Sequence, residues 1–174
     1  MSIIRYDKYD PKIDKSVFIA HNSCIIGRVS IDKNSSVWFN SVLRADVDEI
    51  IIGQGTNIQD LTMCHVDPET PLKIGDYVTI GHRCIIHGCS IDNNCLIGMG
   101  AIIMNRAKIN EYSIIAAGSV VTEGIEIPPF SLVTGIPGKI KKKLDKNIIE
   151  RINYFAKAYI DRAKKYIEDS SQLS

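Results

Sequence analysis

Every sixth residue through the middle of this 174-residue chain is a branched aliphatic. The series Ile74, Ile80, Ile86, Ile91, Ile97, Ile103, Ile109, Ile115 and Val121 keeps the beat, broken by one step of five. The same beat runs earlier through Ile31, Val37 and Leu43, then Ile52, Ile58 and Cys64. Four residues after most of these stands a slim side chain: Ser35, Ser41, Val47, Thr56, Thr62, Val78, Cys84, Cys95, Ala101, Ala107, Ser113 and Ser119. A period of six fits neither a helix nor an alternating strand. It suits a chain that turns a corner every six residues, with three turns closing one triangular coil. The large residue of each hexad points inward and stacks on its counterpart one coil along, at roughly 4.8 Å, while the slim one fills the corner. Gly53, Gly75, Gly81 and Gly98 directly follow inward residues, where a tight coil needs either permissive backbone or close approach. An ordinary β-sandwich would show two-residue alternation and looser spacing. The period does not set the hand, and general topology rules favour right-handed crossovers.

After Val121 the beat fades into a segment broken by Pro128-Pro129 and Pro137-Gly138. From Asp145 to about Ser170 the period changes: Ile148, Ile152, Phe155, Ala156, Tyr159, Ala163 and Tyr166 recur at steps of three and four, the mark of an amphipathic helix. The expected organisation is a β-solenoid over 1–140 and, over 141–174, a helix packed on its outer face or across a subunit boundary.

Twenty-one basic against 20 acidic residues leave a net charge of +1, and no segment interleaves cations with aromatics, so nucleic acid and anionic membranes are poor partners. The one dense basic run, Lys139 to Lys143, reads as a solvated connector before it reads as a phosphate-binding patch. No stretch approaches the length of a membrane span, and the charged N-terminus lacks a signal-peptide core, so a cytosolic protein is expected. Five cysteines without CxxC spacing (Cys24, Cys64, Cys84, Cys89 and Cys95) argue against a disulfide framework and read as small packing residues.

Three of the four histidines fall within 23 residues. His65 follows the inward Cys64 and His87 follows Ile86. Counting hexads through Ile74 and Ile80, with an inserted loop at Val66 to Leu72, returns to the same face, so the two stack on adjacent coils and point outward. Side chains one strand spacing apart can converge on a metal ion with nitrogen ligands at about 2.1 Å. His82 lies on the preceding face, two residues after Ile80, and needs a neighbouring subunit to reach the other two. Arg44 joins the His65/His87 face if Asp48 to Ile51 form a bulge, and Gln59 falls on the His82 face. Singly, each histidine would pass as a surface residue. Jointly, three imidazoles leaving one open position are the arrangement of a catalytic zinc.

The motifs R-A-D at 44–46, N-I-Q-D at 57–60, C-H-V at 64–66 and I-G-H-R-C-I-I-H-G-C at 80–89 resemble those of the γ-class carbonic anhydrases. The likeness continues through I-G-M-G-A at 97–101, A-A-G-S at 116–119 and G-I-P-G-K at 135–139. It implies a left-handed parallel β-helix of hexapeptide repeats with a C-terminal α-helix, assembled as a homotrimer with a Zn²⁺ at each interface. Fe²⁺ or Co²⁺ would suit the same ligands. In that family His65 and His87 would come from one subunit and His82 from its neighbour. Arg44 and Asp46 would order the interface. Asn57, Gln59 and Asp60 would complete the catalytic set, with Gln59 orienting the reactive water. The implied reaction is attack of zinc-activated hydroxide on CO₂ to give bicarbonate. The chain departs from archaeal members in carrying Val47 where they carry Glu, and in its short loop VDPETPL, which leaves Asp67 and Glu69 as poor proton shuttles and implies low turnover. Other uses of such a fold are a metal-dependent thioesterase, a hexapeptide acyltransferase and a metal-stabilised scaffold.

Overall fold

The computed structural model describes residues 2–171; residues 172–174 of the expected helical segment lie outside them. The chain winds a left-handed parallel β-helix of about seven coils, closed by one C-terminal helix, Ile148–Ser171. Each coil contributes a short strand to each of three faces. The first face stacks Met63–His65, Ile85–His87, Ile102–Ile103 and Val120–Val121 on the opening halves of Cys24–Ile31 and Val42–Ile52. The second stacks Leu72–Ile74, Ser90–Ile91, Lys108–Ile109 and Glu126–Ile127 on the closing halves of the same two long strands. The third runs from Phe18–Ile19 through Ser36–Val37, Asn57–Ile58, Thr79–Ile80, Leu96–Ile97 and Ile114–Ile115 to Ser131–Thr134.

The inward residues form one core along the axis, with Leu43, Ile58, Ile80, Ile86, Ile97 and Ile103 fully buried. The slim residues lie at buried corners, and several with a donor spend it across the corner. Ser35 Oγ donates to the Gly53 carbonyl at 2.6 Å, Ser41 Oγ to Gln59 at 2.8 Å, Thr56 Oγ1 to Gly75 at 2.7 Å and Cys84 Sγ to Gly98 at 3.2 Å. Small hydroxyl and thiol residues therefore fill the corner and satisfy a carbonyl that the strand ladder leaves open. Val47 is the exception: it is exposed, because the chain departs from the coil there. The residue before a corner commonly has positive φ, including Leu61, Arg83 and Arg106 as well as Gly100 (φ 69°), and the surrounding ladder sustains this backbone. Gly98 serves differently. Its φ is ordinary, but a Cβ there would stand 2.5 Å from the Ala117 amide nitrogen on the next coil, so close approach rather than left-handed backbone demands it.

Two local expectations are corrected. The bulge beside Arg44 spans 46–49, not 48–51, because Ala45 still pairs with Gly27 and pairing resumes with Val29 and Ile50. The solenoid sheet runs beyond 140, since Lys139–Lys143 is an antiparallel edge strand on Ser131–Thr134 rather than a connector. Its side chains are all exposed, which suits lysines on an unpaired edge. The helix packs on the third face, burying Ile152, Ala156 and Ala163. An aromatic cluster seats it, with Tyr159 edge-on to Trp38 at 5.2 Å and Tyr166 against Phe18 at 5.3 Å. No helix among the described residues is long and apolar enough to cross a membrane.

Four cysteines, Cys64, Cys84, Cys89 and Cys95, are buried, and Cys24 is part-exposed. Burial pushes the thiols of Cys84 up to about 11 and of Cys89 and Cys95 to about 12, and raises that of Cys64 as well. A thiol reagent at about pH 8 is therefore expected to titrate at most one cysteine per folded chain, and all five after denaturation. Rapid reaction of two or more in the folded protein would contradict this packing.

Candidate metal centre

His65 and His87 are register partners on the first face, and Arg44 is the partner of His65 on its other side. The strand ladder thus stacks the three outward side chains. The rings meet edge-on, inclined at 70°, with His65 Nδ1 and His87 Nε2 2.9 Å apart. Each ring's other nitrogen is held from outside. His65 Nε2 lies 3.0 Å from Asp46 Oδ1, and His87 Nδ1 lies 2.6 Å from Asn105 Oδ1. Asp46 also accepts from Arg44. Burial alone would push the Asp46 carboxyl up, but hydrogen bonds from His65 and Arg44 outweigh it and hold the carboxyl below its ordinary range. An ionised Asp46 only accepts, so His65 Nε2 carries the proton. The Asn105 orientation is set in turn by its Nδ2, which donates to Asp67 Oδ2 at 2.8 Å, so Oδ1 accepts from His87 Nδ1–H.

The consequence is specific. In neutral rings with both protons pointed outward, the two inner nitrogens present lone pairs to each other at 2.9 Å. That contact is repulsive unless a cation lies between them. Outer-shell acceptors that fix the tautomer and aim the free lone pair are the usual support of a metal-binding histidine. The donor set therefore fits a divalent cation.

A second group of residues gathers on the third face. His82 Nδ1 lies 2.7 Å from Asp60 Oδ2, which leaves Nε2 as the open ring nitrogen. Gln59 is buried, and its Nε2 donates to Asn57 Oδ1 at 3.0 Å, while Asn57 Nδ2 donates to Thr79 Oγ1 at 3.0 Å. One N–H of the Gln59 amide is thereby committed, which orients the carbonyl end to accept. Gln59 and His82 line a groove shared with Met99 and with Phe155 and Tyr159 of the helix. Within one chain, then, the predicted residues fall into two separate groups: Arg44, Asp46, His65 and His87 in one; Asn57, Gln59, Asp60 and His82 in the other. His82 is not in the one group of metal-ligating atoms found among the described residues, which is His65, Asp67 and His87.

Sequence counting misses Asn105. The five-residue step from Ile86 to Ile91 shortens that coil, so Ile86 pairs with Ile103 and strict register sets Met104, not Asn105, opposite His87. The available signal is an amide in the otherwise apolar run I-I-M-N.

A hexapeptide β-helix bearing outward histidines, each capped by an outer acceptor, defines the class of protein. Residues 88–123 match the family model described as bacterial transferase hexapeptide (six repeats). The chain is 49% identical over 148 residues to a Methanocaldococcus jannaschii protein named "Probable carbonic anhydrase", covering 85% of this chain and 93% of that one. It is 39% identical over 173 residues to mitochondrial gamma carbonic anhydrase 2 of Arabidopsis thaliana, and spans 62% of that longer protein. Among solved structures, a hexapeptide transferase family protein from Anaplasma phagocytophilum matches with a TM-score of 0.90 at 42% identity, covering 95% of this chain and 98% of that one. The chain belongs to the γ-class carbonic anhydrase family.

Proposed function

We propose that this protein is a metal-dependent carbonic anhydrase that interconverts CO₂ and bicarbonate at sites shared between the subunits of a homotrimer. His65 and His87 of one subunit and His82 of the next would hold the ion, with Zn²⁺ the first choice and Fe²⁺ or Co²⁺ compatible with the same imidazoles. The observation that carries this reading is the facing pair of ring nitrogens, 2.9 Å apart with both outer nitrogens capped. When bound, such an ion lowers the pKa of a water molecule towards 7 and so supplies a nucleophile at neutral pH.

The chain's own residues do the positioning. Asp46, steadied by Arg44, holds the His65 ring, Asn105 holds His87 and Asp60 holds His82. Gln59, fixed by Asn57, offers a carbonyl to orient water or substrate, and the neighbouring Ile97, Met99 and Phe155 suit a small apolar molecule such as CO₂. Proton export is the weak point, because Val47 carries no proton and the nearby loop offers only Asp67 and Glu69. Free thiols suit the reducing cytosol. An acyltransferase using histidine as a general base has no need of two capped imidazoles set nose to nose.

Stopped-flow CO₂ hydration by the metal-loaded protein tests the reading. The expected result is a rate that follows bound metal at about one ion per subunit and rises with added imidazole buffer, which substitutes for the missing shuttle. Fully metallated protein with no hydration above the buffer rate would overturn it.

A further inference from the structure

The two stacked histidines share their face with a carboxylate. Asp67 opens the loop that leaves the first face, and one ligand atom from each of His65, Asp67 and His87 lies within 4.8 Å of the other two. The loop holds Asp67 in place. Its backbone N–H donates to Thr70 Oγ1 at 3.1 Å, and its carbonyl accepts from the same hydroxyl at 2.9 Å and from the Thr70 amide at 3.1 Å. Pro68 and Pro71 stiffen the loop further. Asn105 bridges the group, accepting from His87 while donating to Asp67.

Two imidazoles and one carboxylate make a sufficient donor set for a divalent transition metal. The ring spacing agrees. With bonds of about 2.1 Å, adjacent nitrogens stand roughly 3.0 Å apart around an octahedral ion and roughly 3.4 Å apart around a tetrahedral one. The observed 2.9 Å is nearer the first.

We propose that Asp67 is a metal ligand in its own right, so that His65, His87 and Asp67 of a single subunit capture a divalent cation without help from a neighbour. His82 of the adjoining subunit then completes a site that is already loaded, and Asp67 becomes the reserve ligand. The proposal rests on His65 and His87 being metal ligands, and is independent of the reaction they serve. The result is a division of labour: one subunit captures the ion, and assembly tightens the grip.

The test is a double-mutant cycle read by metal affinity. Chelator-stripped full-length protein, as the parent, Asp67→Asn, His82→Ala and the double variant, is titrated with Co²⁺ alone, following both affinity and the visible absorption of the ion. Asp67→Asn is expected to weaken binding by about tenfold or less in the parent, where His82 completes the set. In the His82→Ala background the same change is expected to cost about a hundredfold or more and to alter the Co²⁺ spectrum, because a ligand is then lost. Asn105→Ala, which removes the bridge but keeps the carboxylate, is expected to cost the same factor in both backgrounds. Equal losses from Asp67→Asn in both backgrounds would make it a mere support for Asn105 and overturn the proposal. A parent that binds no Co²⁺ would overturn both this proposal and the metal centre beneath it. A parent that binds Co²⁺ and shows the expected cycle, yet hydrates no CO₂, would support the ligand and remove only the anhydrase reading.

Discussion

Mixing His65→Ala subunits with His82→Ala subunits is expected to restore roughly a quarter of the parental CO₂ hydration, although each variant alone has lost it by about a hundredfold or more. The size of the single losses follows from substitutions of outer-shell partners alone, which already cost 10–100-fold; removing a ligand costs at least that. The partial recovery follows from geometry. His65 and His87 stand on the first face, whereas His82 follows the third-face strand Thr79–Ile80, so the proposed site would join two different faces of two different chains. After random reassembly from denaturant, an interface works only when a chain with intact His65 meets, in the right order, a chain with intact His82. That happens at about one interface in four. No recovery, with trimers demonstrably exchanged, would show that all three histidines act within one chain, and the shared-site reading would fall.

Ile86→Ala is expected to destabilise the protein by about 2–5 kcal/mol, the range for emptying a fully buried aliphatic site. Ile86 has no exposed surface and is sandwiched on the first face between Cys64 and Ile103 of the adjacent coils. Those neighbours are held by the strand ladder and cannot collapse into the space left behind. Its neighbour Ile85 points the other way and is 42% exposed, so Ile85→Ala in a dissociated chain should cost well under half as much. Denaturant unfolding compares the two. A similar loss from both would mean that the six-residue beat does not separate inside from outside here. Because His87 follows Ile86 directly, metal affinity should fall along with stability in the first variant and remain close to the parent's in the second.

The sequence reads most clearly where the solenoid behaves as a one-dimensional object. Counting in sixes is enough to say that Ile86 points inward, that His87 points outward, that His65 and His87 are partners one coil apart, and that His82 belongs to another face. A period repeated over many coils leaves little freedom of register, since a slip of one residue would turn the inward row to solvent. The expected C-terminal helix is legible for the same kind of reason, its three- and four-residue steps marking the Ile152, Ala156 and Ala163 stripe that is buried.

Counting fails where the chain leaves the coil or where a contact depends on the reach of a side chain. The bulge at 46–49 follows Ala45, and only its three-dimensional path shows that Asp46 turns back onto His65. Asn105 stands off strict register and reaches His87 through its amide, and Asp67 is carried to the histidines by a loop closed on Thr70. Lys139–Lys143 looks like a connector in sequence because nothing local declares the edge it pairs with. The three histidines and the faces they occupy were thus determined by sequence alone, because hexad spacing directly encodes position around and along the coil. Which ring nitrogen each presents, what holds it there, and that Asp67 stands ready beside His65 and His87 were decided only by the tertiary structure. Tautomers and caps are set by side chains converging from different coils and loops, and no linear spacing records that convergence.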